Sequence, residues 1–282
     1  MIAKNPMQLK AIFKKKAAEN NISAQLVMQN YMMERLLERI SLSEYKPNFI
    51  LKGGFLIAAI VGLDSRTTMD LDTTIKGFPL THESVGKIFD ALCAVTVDDD
   101  VTFSVSKITD IREGDIYPGL RVALTASYPP LSVPLSVDVT TGDKITPREI
   151  EYTFKLMFDD RNISVLAYNL ETILAEKLET VLSRNIANTR PRDFYDIHIL
   201  YALRSSDCDI ALLKKALEKT TERRGSDNVL EQYKYITENI RNNPQMRGFW
   251  ERYQKDFDYA KDITFDDTCD SILIIMDKIF EV

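Results

Sequence analysis

The chain has few of the residues on which several kinds of active site depend. It contains three cysteines and two histidines in 282 residues. Cys93, Cys208 and Cys269 are widely spaced and odd in number, so they predict neither a disulfide framework nor a cysteine metal site. His82 and His198 leave little material for a histidine-centred triad or a histidine-rich zinc site. We therefore expect the chemistry to depend on other side chains.

Long hydrophobic runs are also absent. No apolar stretch approaches the roughly 18–20 residues that span a bilayer, and the N-terminus lacks a signal-peptide core. Hydrophobic residues make up 45% of the chain and charged residues 28%, which is the balance of a soluble globular protein. We expect a cytoplasmic location. The net charge of −6 argues against a surface coated with nucleic-acid-binding residues, although it allows a local basic patch.

The hydrophobic pattern changes twice along the chain. Residues 6–41 show apolar positions at helical spacing, whereas residues 47–145 mix strand-like and helical segments. From residue 147 onward the pattern is mostly helical, and Asn169 is a predicted N-cap. We predict a mixed α/β (α+β) fold. Its expected parts are N-terminal helices over 1–45, a core with a mixed sheet over 46–165 and a helical C-terminal domain over 166–282.

The most informative segment contains a glycine turn followed by two closely spaced acids. Gly53-Gly54 comes after a short strand-like run, and Asp70 and Asp72 lie on the next predicted strand. Because successive strand side chains point to opposite faces, these two carboxylates project together. Carboxylate oxygens suit Mg²⁺, which commonly bridges to substrate phosphates. Glycine lets the backbone approach a phosphate closely, so this segment predicts a metal and phosphate site.

Two further residues extend this site. Asp138 lies in an alternating apolar strand, where a carboxylate is costly to bury without a partner. If that strand lies beside the Asp70 strand, three carboxylates converge on a metal; otherwise Asp138 is an isolated surface acid. Arg66, four residues before Asp70, is either a phosphate clamp or half of a surface ion pair of little energetic value.

The helical C-terminal part adds a lysine and two acids. Lys177 could meet a triphosphate as a point charge or could be an ordinary solvent-exposed lysine. Asp193 and Asp196 share one helix face at positions i and i+3. Alternatively, Arg192 and Asp196, which are four residues apart, form only a helix-stabilising ion pair worth a few tenths of a kcal/mol.

Taken in order, these blocks resemble the AbiEii/AbiGii toxin family of nucleotidyltransferase-like toxins from bacterial abortive-infection and toxin–antitoxin systems. The blocks are Lys52-Gly-Gly-Phe-Leu, Arg66-x-Thr-x-Asp70-x-Asp72, Val137-Asp138-Val139, Glu171-x-x-x-Ala-Glu-Lys-Leu and Arg192-Asp193-x-x-Asp196-Ile.

The resemblance implies a nucleotidyltransferase core and a helical C-terminal domain that contributes to the nucleotide site. It implies a toxin that binds Mg²⁺ and a nucleoside triphosphate, with GTP and CTP as candidates. The toxin would add nucleotides to RNA, at the tRNA 3′ end, and so block translation and phage propagation. It would be encoded beside an antitoxin. Asp70 and Asp72 would be metal ligands, with Asp138 as a third.

The same resemblance gives the other site residues their roles. Lys177 would contact the triphosphate, and Asp193 would be a catalytic or nucleotide-site acid. Asp196 would be a further nucleotide-site residue, and Gly53, Gly54 and Arg66 would bind phosphate. One position departs from the pattern: relatives often carry a Ser after the first glycine, whereas Gly54 and Phe55 offer no hydroxyl.

Three functions remain open. The first is a toxin that transfers nucleotides to RNA, for which the basic residues are modest support: Lys14, Lys15, Lys16, Lys214, Lys215, Lys219, Arg223 and Arg224. The Lys14–Lys16 run could equally be a solvated helix face. The second is a nucleotidyltransferase acting on a small molecule or a protein. The third is a non-catalytic nucleotide-binding module that acts through a partner.

Overall fold

The computed structural model describes residues 5–111 and 119–281. These residues form two compact units. The first contains the described residues up to Asp143 together with Ile150–Ala167, and the second contains Lys144–Glu149 and the described residues from Tyr168 onward. Residues 1–4 of the predicted N-terminal helical part lie outside the described ranges. Within those ranges, no helix is both long and apolar enough to cross a membrane.

Three of the four described helices of the first unit have a side-chain N-cap, and the one that begins at Gly53 has none. The bounds of the four are α1 Pro6–Glu19, α2 Ala24–Leu42, α3 Gly53–Val61 and α4 His82–Ala94. Asn5 accepts a hydrogen bond from the Gln8 N–H (3.0 Å) and Ser23 accepts one from the Leu26 N–H (3.1 Å). Such side-chain caps satisfy backbone donors that have no partner within the helix. Helix α1 ends at Glu19 and α2 begins at Ala24, so a break at Asn20-Asn21 separates them.

A seven-stranded mixed sheet forms the centre of the first unit, as described over residues 49–167. The strands are β1 Phe49–Lys52, β2 Asp70–Ile75, β3 Thr102–Ile111, β4 Gly119–Tyr128, β5 Leu131–Thr141, β6 Ile150–Lys155 and β7 Asn162–Ala167. Their order is β3-β4-β5-β2-β1-β7-β6. Strand β2 runs parallel to β5 and antiparallel to β1, so the predicted mixed sheet is confirmed.

The mostly helical pattern expected from residue 147 onward is wrong for its first part. Ile150–Lys155 and Asn162–Ala167 form β6 and β7, which pair with each other antiparallel. Strand β7 also pairs parallel to β1. Apolar residues alternate over these six-residue segments, for example at Ile163, Val165 and Ala167, which is a strand period. The segments are too short for that period to stand out before a long helical region.

Helix α2 carries four ionisable side chains into the interior of the first unit. Glu34, Arg35, Glu38 and Arg39 are each no more than 4% exposed. Arg35 pairs with Glu38 at 2.7 Å, and Arg39 forms two hydrogen bonds with Asp99, at 2.8 and 2.9 Å. A buried charge without a partner costs several kcal/mol, so these pairs make an otherwise unfavourable burial tolerable.

Glu34 gives the stability a specific pH dependence. Desolvation raises its pKa from 4.5 to about 8, even though Arg35 and the Met157 N–H act in the opposite direction. The folded state therefore holds a proton that the unfolded state releases above pH 4.5, and stability is lost as pH rises towards 8. We expect the free energy of unfolding to fall by about 2 kcal/mol from this group between pH 6 and pH 8.

The Glu34→Gln variant tests this expectation. Glutamine can still accept the Met157 N–H bond that Glu34 accepts at 2.8 Å, but it does not titrate. Chemical denaturation across pH 6–9 is expected to show a shallower decline than in the wild type. Glu83→Gln, at an exposed position on α4, is the control and should keep the wild-type slope. Equal slopes in all three proteins would contradict the assignment.

The described part of the second unit is helical. Its helices are α5 Leu170–Arg184, α6 Pro191–Arg204, α7 Ile210–Arg224, α8 Asn228–Glu231, α9 Tyr233–Asn242, α10 Pro244–Asp256 and α11 Phe265–Glu281. Asn169 accepts from the Thr172 N–H (3.1 Å) and donates to the Thr146 carbonyl (2.7 Å). The predicted N-cap is confirmed, and it also anchors the returning segment 144–149.

Candidate active site

A row of charged residues crosses four adjacent strands of the sheet. Asp72 on β2 lies next to Lys52 on β1 and next to Asp138 on β5, and Asp138 lies next to Arg121 on β4. Residues in register on neighbouring strands project from the same face. The row therefore reads Lys52, Asp72, Asp138, Arg121, and Asp70 lies one pleat away beside Ser136.

The glycine turn is fitted around Asp72. Gly53 has φ +66°, and a Cβ at this position would lie 2.0 Å from Oδ2 of Asp72. The next residue, Gly54, donates its N–H to the same carboxylate oxygen at 3.3 Å. Only glycine combines this backbone conformation with the close approach of the acid. The turn therefore positions Asp72 at the start of α3.

We expect Gly53→Ala to lower the free energy of unfolding by about 2 kcal/mol, because the left-handed conformation alone costs roughly 1–2 kcal/mol and Asp72 must also move. Gly225→Ala is the control for conformation alone, since Gly225 has φ +64° with nothing within 4 Å of the added Cβ. Urea denaturation of both variants measures the difference. If Gly53→Ala lowers the free energy of unfolding no more than Gly225→Ala does, the close fit against Asp72 does not contribute to stability.

A hydroxyl group lies beside the turn although Gly54 and Phe55 carry none. A Cβ on Gly54 would be 3.0 Å from Oγ1 of Thr68 and 3.3 Å from Nη2 of Arg66. Arg66 is 5% exposed and donates to the Thr67 carbonyl. This burial does not fit the alternative of a surface ion pair. Arg66 and Thr68 thus bring a cation and a hydroxyl to the N-terminus of α3, where anions are favoured.

Asp138 is held by an arginine that the sequence analysis did not consider. Nε of Arg121 lies 2.7 Å from Oδ1 of Asp138, and Nη2 lies 2.8 Å from Oδ2. These hydrogen bonds raise the pKa of Arg121 above its usual range, and the charges of Asp70 and Asp72 raise it further. Paired hydrogen bonds of this kind give both strength and fixed geometry. Strand β5 does lie beside β2, as the prediction required, but Asp138 faces Arg121.

Lys52 is also paired. Its Nζ lies 2.5 Å from Oδ2 of Asp143, and both side chains are nearly buried. Burial alone would raise the pKa of Asp143, but the attraction of Lys52 and the hydrogen bonds of the carboxyl, including one from Thr140, lower it to about 2. Asp143 is therefore ionised at neutral pH and fixes the Lys52 end of the charged row.

Asp70 and Asp72 provide oxygen donors of the kind that a divalent cation takes. Over residues 5–111 and 119–281, no three Asp, Glu, His or Cys side chains are grouped so as to share a metal ion. Asp70 and Asp72 remain half-buried on one face of β2. Oγ of Ser136, next to Asp70, is buried without a hydrogen-bond partner. Two hard carboxylates and an unsatisfied hydroxyl fit Mg²⁺ with its retained waters.

The second unit contains its own charged cluster. Nζ of Lys177 on α5 lies 2.6 Å from Oδ1 of Asp193 and 2.8 Å from Oδ2 of Asp196 on α6. Desolvation would lower the pKa of Lys177, but Asp196 and Asp193 outweigh it and raise the pKa. Lys177 is thus a half-buried, ion-paired residue, which does not fit the alternative of an ordinary solvent lysine. Oδ2 of Asp193 is buried without a hydrogen-bond partner.

The basic residues considered for RNA binding lie on two helices. Lys14, Lys15 and Lys16 are on α1, where Lys15 is 4.0 Å from Glu19. The other group is on α7, where Arg224 pairs with the buried Glu179. Arg224 therefore has a structural partner within the second unit, which reduces the charge that α7 could offer to a phosphate.

Fold and site together define a class of protein. A mixed sheet that carries Asp-x-Asp beside a glycine turn and a following helix is the arrangement of a nucleotidyltransferase-type site. The chain belongs to the AbiEii family: the model for the nucleotidyl transferase AbiEii toxin of type IV toxin–antitoxin systems matches residues 35–271. The predicted family is therefore confirmed. A comparison with curated proteins finds no significant match.

Several solved structures align with this chain. A candidate nucleotidyltransferase from H. pylori aligns over 92% of this chain and 96% of its own, with 15% identity and a TM-score of 0.48. JHP933 from Helicobacter pylori aligns over 92% and 93%, with 14% identity and a TM-score of 0.47. An antigenic nucleotidyltransferase-like protein from Paracoccidioides brasiliensis covers 72% of this chain and 92% of its own, with 15% identity and a TM-score of 0.39.

Proposed function

We propose that the chain is a Mg²⁺-dependent nucleotidyltransferase that transfers a nucleotide from a nucleoside triphosphate to the 3′ end of RNA, with tRNA as the acceptor. The observation that carries this proposal is the Asp70–Asp72 pair, held beside the Gly53-Gly54 turn by a glycine that no other residue can replace without displacing Asp72. Membership of a toxin family then supports an acceptor whose modification blocks translation and phage propagation.

The reaction requires little covalent chemistry from the protein. A hydroxyl oxygen of the acceptor bonds to the α-phosphorus, the bond to the β-phosphate oxygen breaks, and pyrophosphate leaves. The hydroxyl proton passes to a carboxylate or to water. Asp70 and Asp72 would hold Mg²⁺, which supplies charge neutralisation at the phosphates when bound. Most of the catalysis is then positioning and electrostatics.

The protein groups near the turn would bind the phosphate chain. Arg66 offers a guanidinium for a paired contact, and Thr68 offers the hydroxyl that Gly54 and Phe55 lack. The Gly54 N–H is shared with Asp72 at 3.3 Å, so a phosphate would depend more on these two side chains than on that backbone group. The family resemblance also assigns Lys177, Asp193 and Asp196 to the nucleotide site, and we retain that assignment as part of the proposal.

The proposal is tested by nucleotide transfer with purified protein. Total RNA is incubated with Mg²⁺ and each labelled triphosphate in turn, GTP and CTP included, and parallel reactions contain EDTA. We expect label in RNA, in the tRNA size range, that disappears with EDTA. In two further sets of reactions, a protein mixture or small hydroxyl compounds replace RNA as the acceptor. Label only in those arms would favour the second function, and no label in any arm would favour a non-catalytic module.

The family also implies an antitoxin encoded beside the toxin and a cytoplasmic site of action. We propose both for this chain. Co-expression with the neighbouring gene is expected to restore growth that the toxin alone arrests. Co-purification of the two proteins would indicate direct binding, whereas rescue without co-purification would indicate an antitoxin that acts by another route.

A further inference from the structure

The first unit contains a cavity bounded by α1, α2, α3 and strand β6. Its volume is about 480 Å³, which lies within the roughly 300–1,000 Å³ of small-molecule sites. Its apolar wall includes Phe55, Ala59 and Leu156. Asp70 and Asp72 are not among the lining residues, so the cavity is separate from the acid pair of the candidate active site.

Two buried polar side chains of α2 line this cavity. Asn30 and Glu34 are 2% and 3% exposed, and residues four apart share one helix face. Nδ2 of Asn30 donates to the carbonyls of Leu26, at 2.9 Å, and Thr68, at 3.1 Å. Oδ1 of Asn30 accepts no hydrogen bond from any residue that the structure describes. The cavity therefore contains a buried acceptor that a ligand could satisfy.

Glu34 supplies a donor beside this acceptor. Its carboxyl oxygens accept the Met157 N–H, at 2.8 and 3.1 Å. Desolvation raises the pKa of Glu34 to about 8, so at pH 7 the carboxyl is mostly protonated and carries an O–H. A donor next to an acceptor complements the edge of a nucleobase, which also presents donor and acceptor atoms side by side.

Two lysines give the cavity an excess of positive charge. Lys16 on α1 and Lys155 on β6 both line it. Neither ammonium has an ion-pair partner within the described ranges. Asp64 is the acid in the lining that stays ionised at neutral pH when Glu34 is protonated. Two cations then oppose one anion, and the local potential favours a ligand with an anionic group.

We propose that this cavity is a second ligand site, which binds a mononucleotide with its base at Asn30 and Glu34 and its phosphate at Lys16 and Lys155. The apolar wall of α3 would contact the ring. The inference goes beyond the proposed transfer reaction and does not depend on it, because a ligand can occupy this cavity without Mg²⁺ and without an RNA acceptor.

Calorimetric titration of the full chain tests the proposal. AMP, GMP, CMP and UMP are titrated separately in the presence of EDTA, so that no metal ion assists binding at Asp70 and Asp72. We expect at least one of them to bind with one molecule per chain and a Kd below about 1 mM. Inorganic phosphate, which lacks a base, should bind at least about tenfold more weakly.

Two variants change the cavity in different ways. Ala59→Trp fills it from the half-buried wall of α3 and should abolish binding. Its matched control is Ala91→Trp, at a half-buried position of α4 that does not line the cavity. Lys16→Gln with Lys155→Gln should weaken binding by about tenfold or more.

The charge control for the lysine variant is Lys10→Gln with Lys215→Gln, which removes two exposed lysines elsewhere and should leave the affinity unchanged. Circular dichroism checks that each variant is folded. If Ala59→Trp does not fold, the lysine variant and its control decide the question.

Four results would overturn the assignment. They are no saturable binding of any of the four mononucleotides, wild-type affinity in folded Ala59→Trp or in the Lys16 and Lys155 variant, phosphate binding as tight as that of the mononucleotides, or loss of binding in Asp72→Asn. The last result would place the ligand at the acid pair. Failure of nucleotide transfer with binding as expected would overturn the proposed function alone.

Discussion

Replacing Asp72 with asparagine is expected to lower the rate of nucleotide transfer by about 10³-fold or more. A metal ion at developing charge contributes several kcal/mol to the transition state, and each 1.4 kcal/mol corresponds to about tenfold in rate. Asparagine keeps an oxygen for the Gly54 N–H bond that Asp72 accepts at 3.3 Å. The lower rate should therefore come from the missing carboxylate and not from a disturbed fold. The measurement is the initial rate with the triphosphate and acceptor that give the highest incorporation.

The control for Asp72→Asn is the same substitution at an exposed acid in the same segment. Asp64 is exposed and lies six residues before Asp70, so Asp64→Asn changes the charge by the same amount without touching the row. We expect it to retain most of the wild-type rate. Thermal denaturation should give both variants a midpoint close to the wild type. An Asp72→Asn protein with near-normal transfer would show that the acid pair does not carry the reaction.

Replacing Lys177 with methionine is expected to destabilise the helical unit by about 3–5 kcal/mol, because removal of one partner leaves buried charges uncompensated. Asp193 is 3% exposed and Asp196 is 0% exposed, and Lys177 is bound to both. The change should appear as a lower midpoint in urea. Lys215→Met, at an exposed position of α7, is the control and should change stability by less than about 0.5 kcal/mol.

A triple variant separates the structural role of Lys177 from a role in nucleotide binding. Lys177→Met with Asp193→Asn and Asp196→Asn removes all three charges, and we expect it to recover much of the lost stability. If it also recovers transfer activity, Lys177 acts through folding alone. Recovered stability without activity would agree with the nucleotide-site role that the resemblance assigns. An unchanged midpoint in the single Lys177→Met variant would contradict the buried ion pairs.

Local patterns were enough to predict most elements that contain the proposed active-site acids. The strand at 70–75, the helix cap at Asn169 and the shared face of Asp193 and Asp196 each depend on a few adjacent residues. Such signals include cap chemistry and side-chain period, which act within one turn or one strand. For the same reason they identified Asp70 and Asp72 together.

Partners across strands were harder to predict. Arg121 and Lys52 occur in segments with no acid at a regular short spacing, and no local period reveals that they join one row. One signal was nevertheless available for Arg121. Strands β4 and β5 are joined at Pro129-Pro130, and Tyr128 lies opposite Leu131. A two-residue connection fixes the register of a hairpin, and counting back along both strands places Arg121 opposite Asp138.

The buried charges of α2 could not have been predicted in the same way. Glu34, Arg35, Glu38 and Arg39 follow one another as on an ordinary solvent-facing helix surface. Their burial depends on Asp99 and Arg161, which come from segments more than 50 residues away and which pair with Arg39 and Glu38. A single sequence does not show which distant residue compensates a charge, so burial of a charged helix face is the weakest inference from pattern alone.

The hairpin of β4 and β5 also has a consequence for the order of folding. Contacts between neighbouring segments close shorter loops and form more readily than contacts between distant ones. Arg121 and Asp138 meet within one hairpin, whereas Asp138 meets Asp72 only when β5 docks beside β2. We expect Asp138 to be paired with Arg121 before β5 docks beside β2. Asp72 and Asp138 then approach each other with a compensating positive charge already in place. If the hairpin forms first, the Arg121→Gln variant should refold more slowly than the wild type, because β5 would dock with an unpaired Asp138.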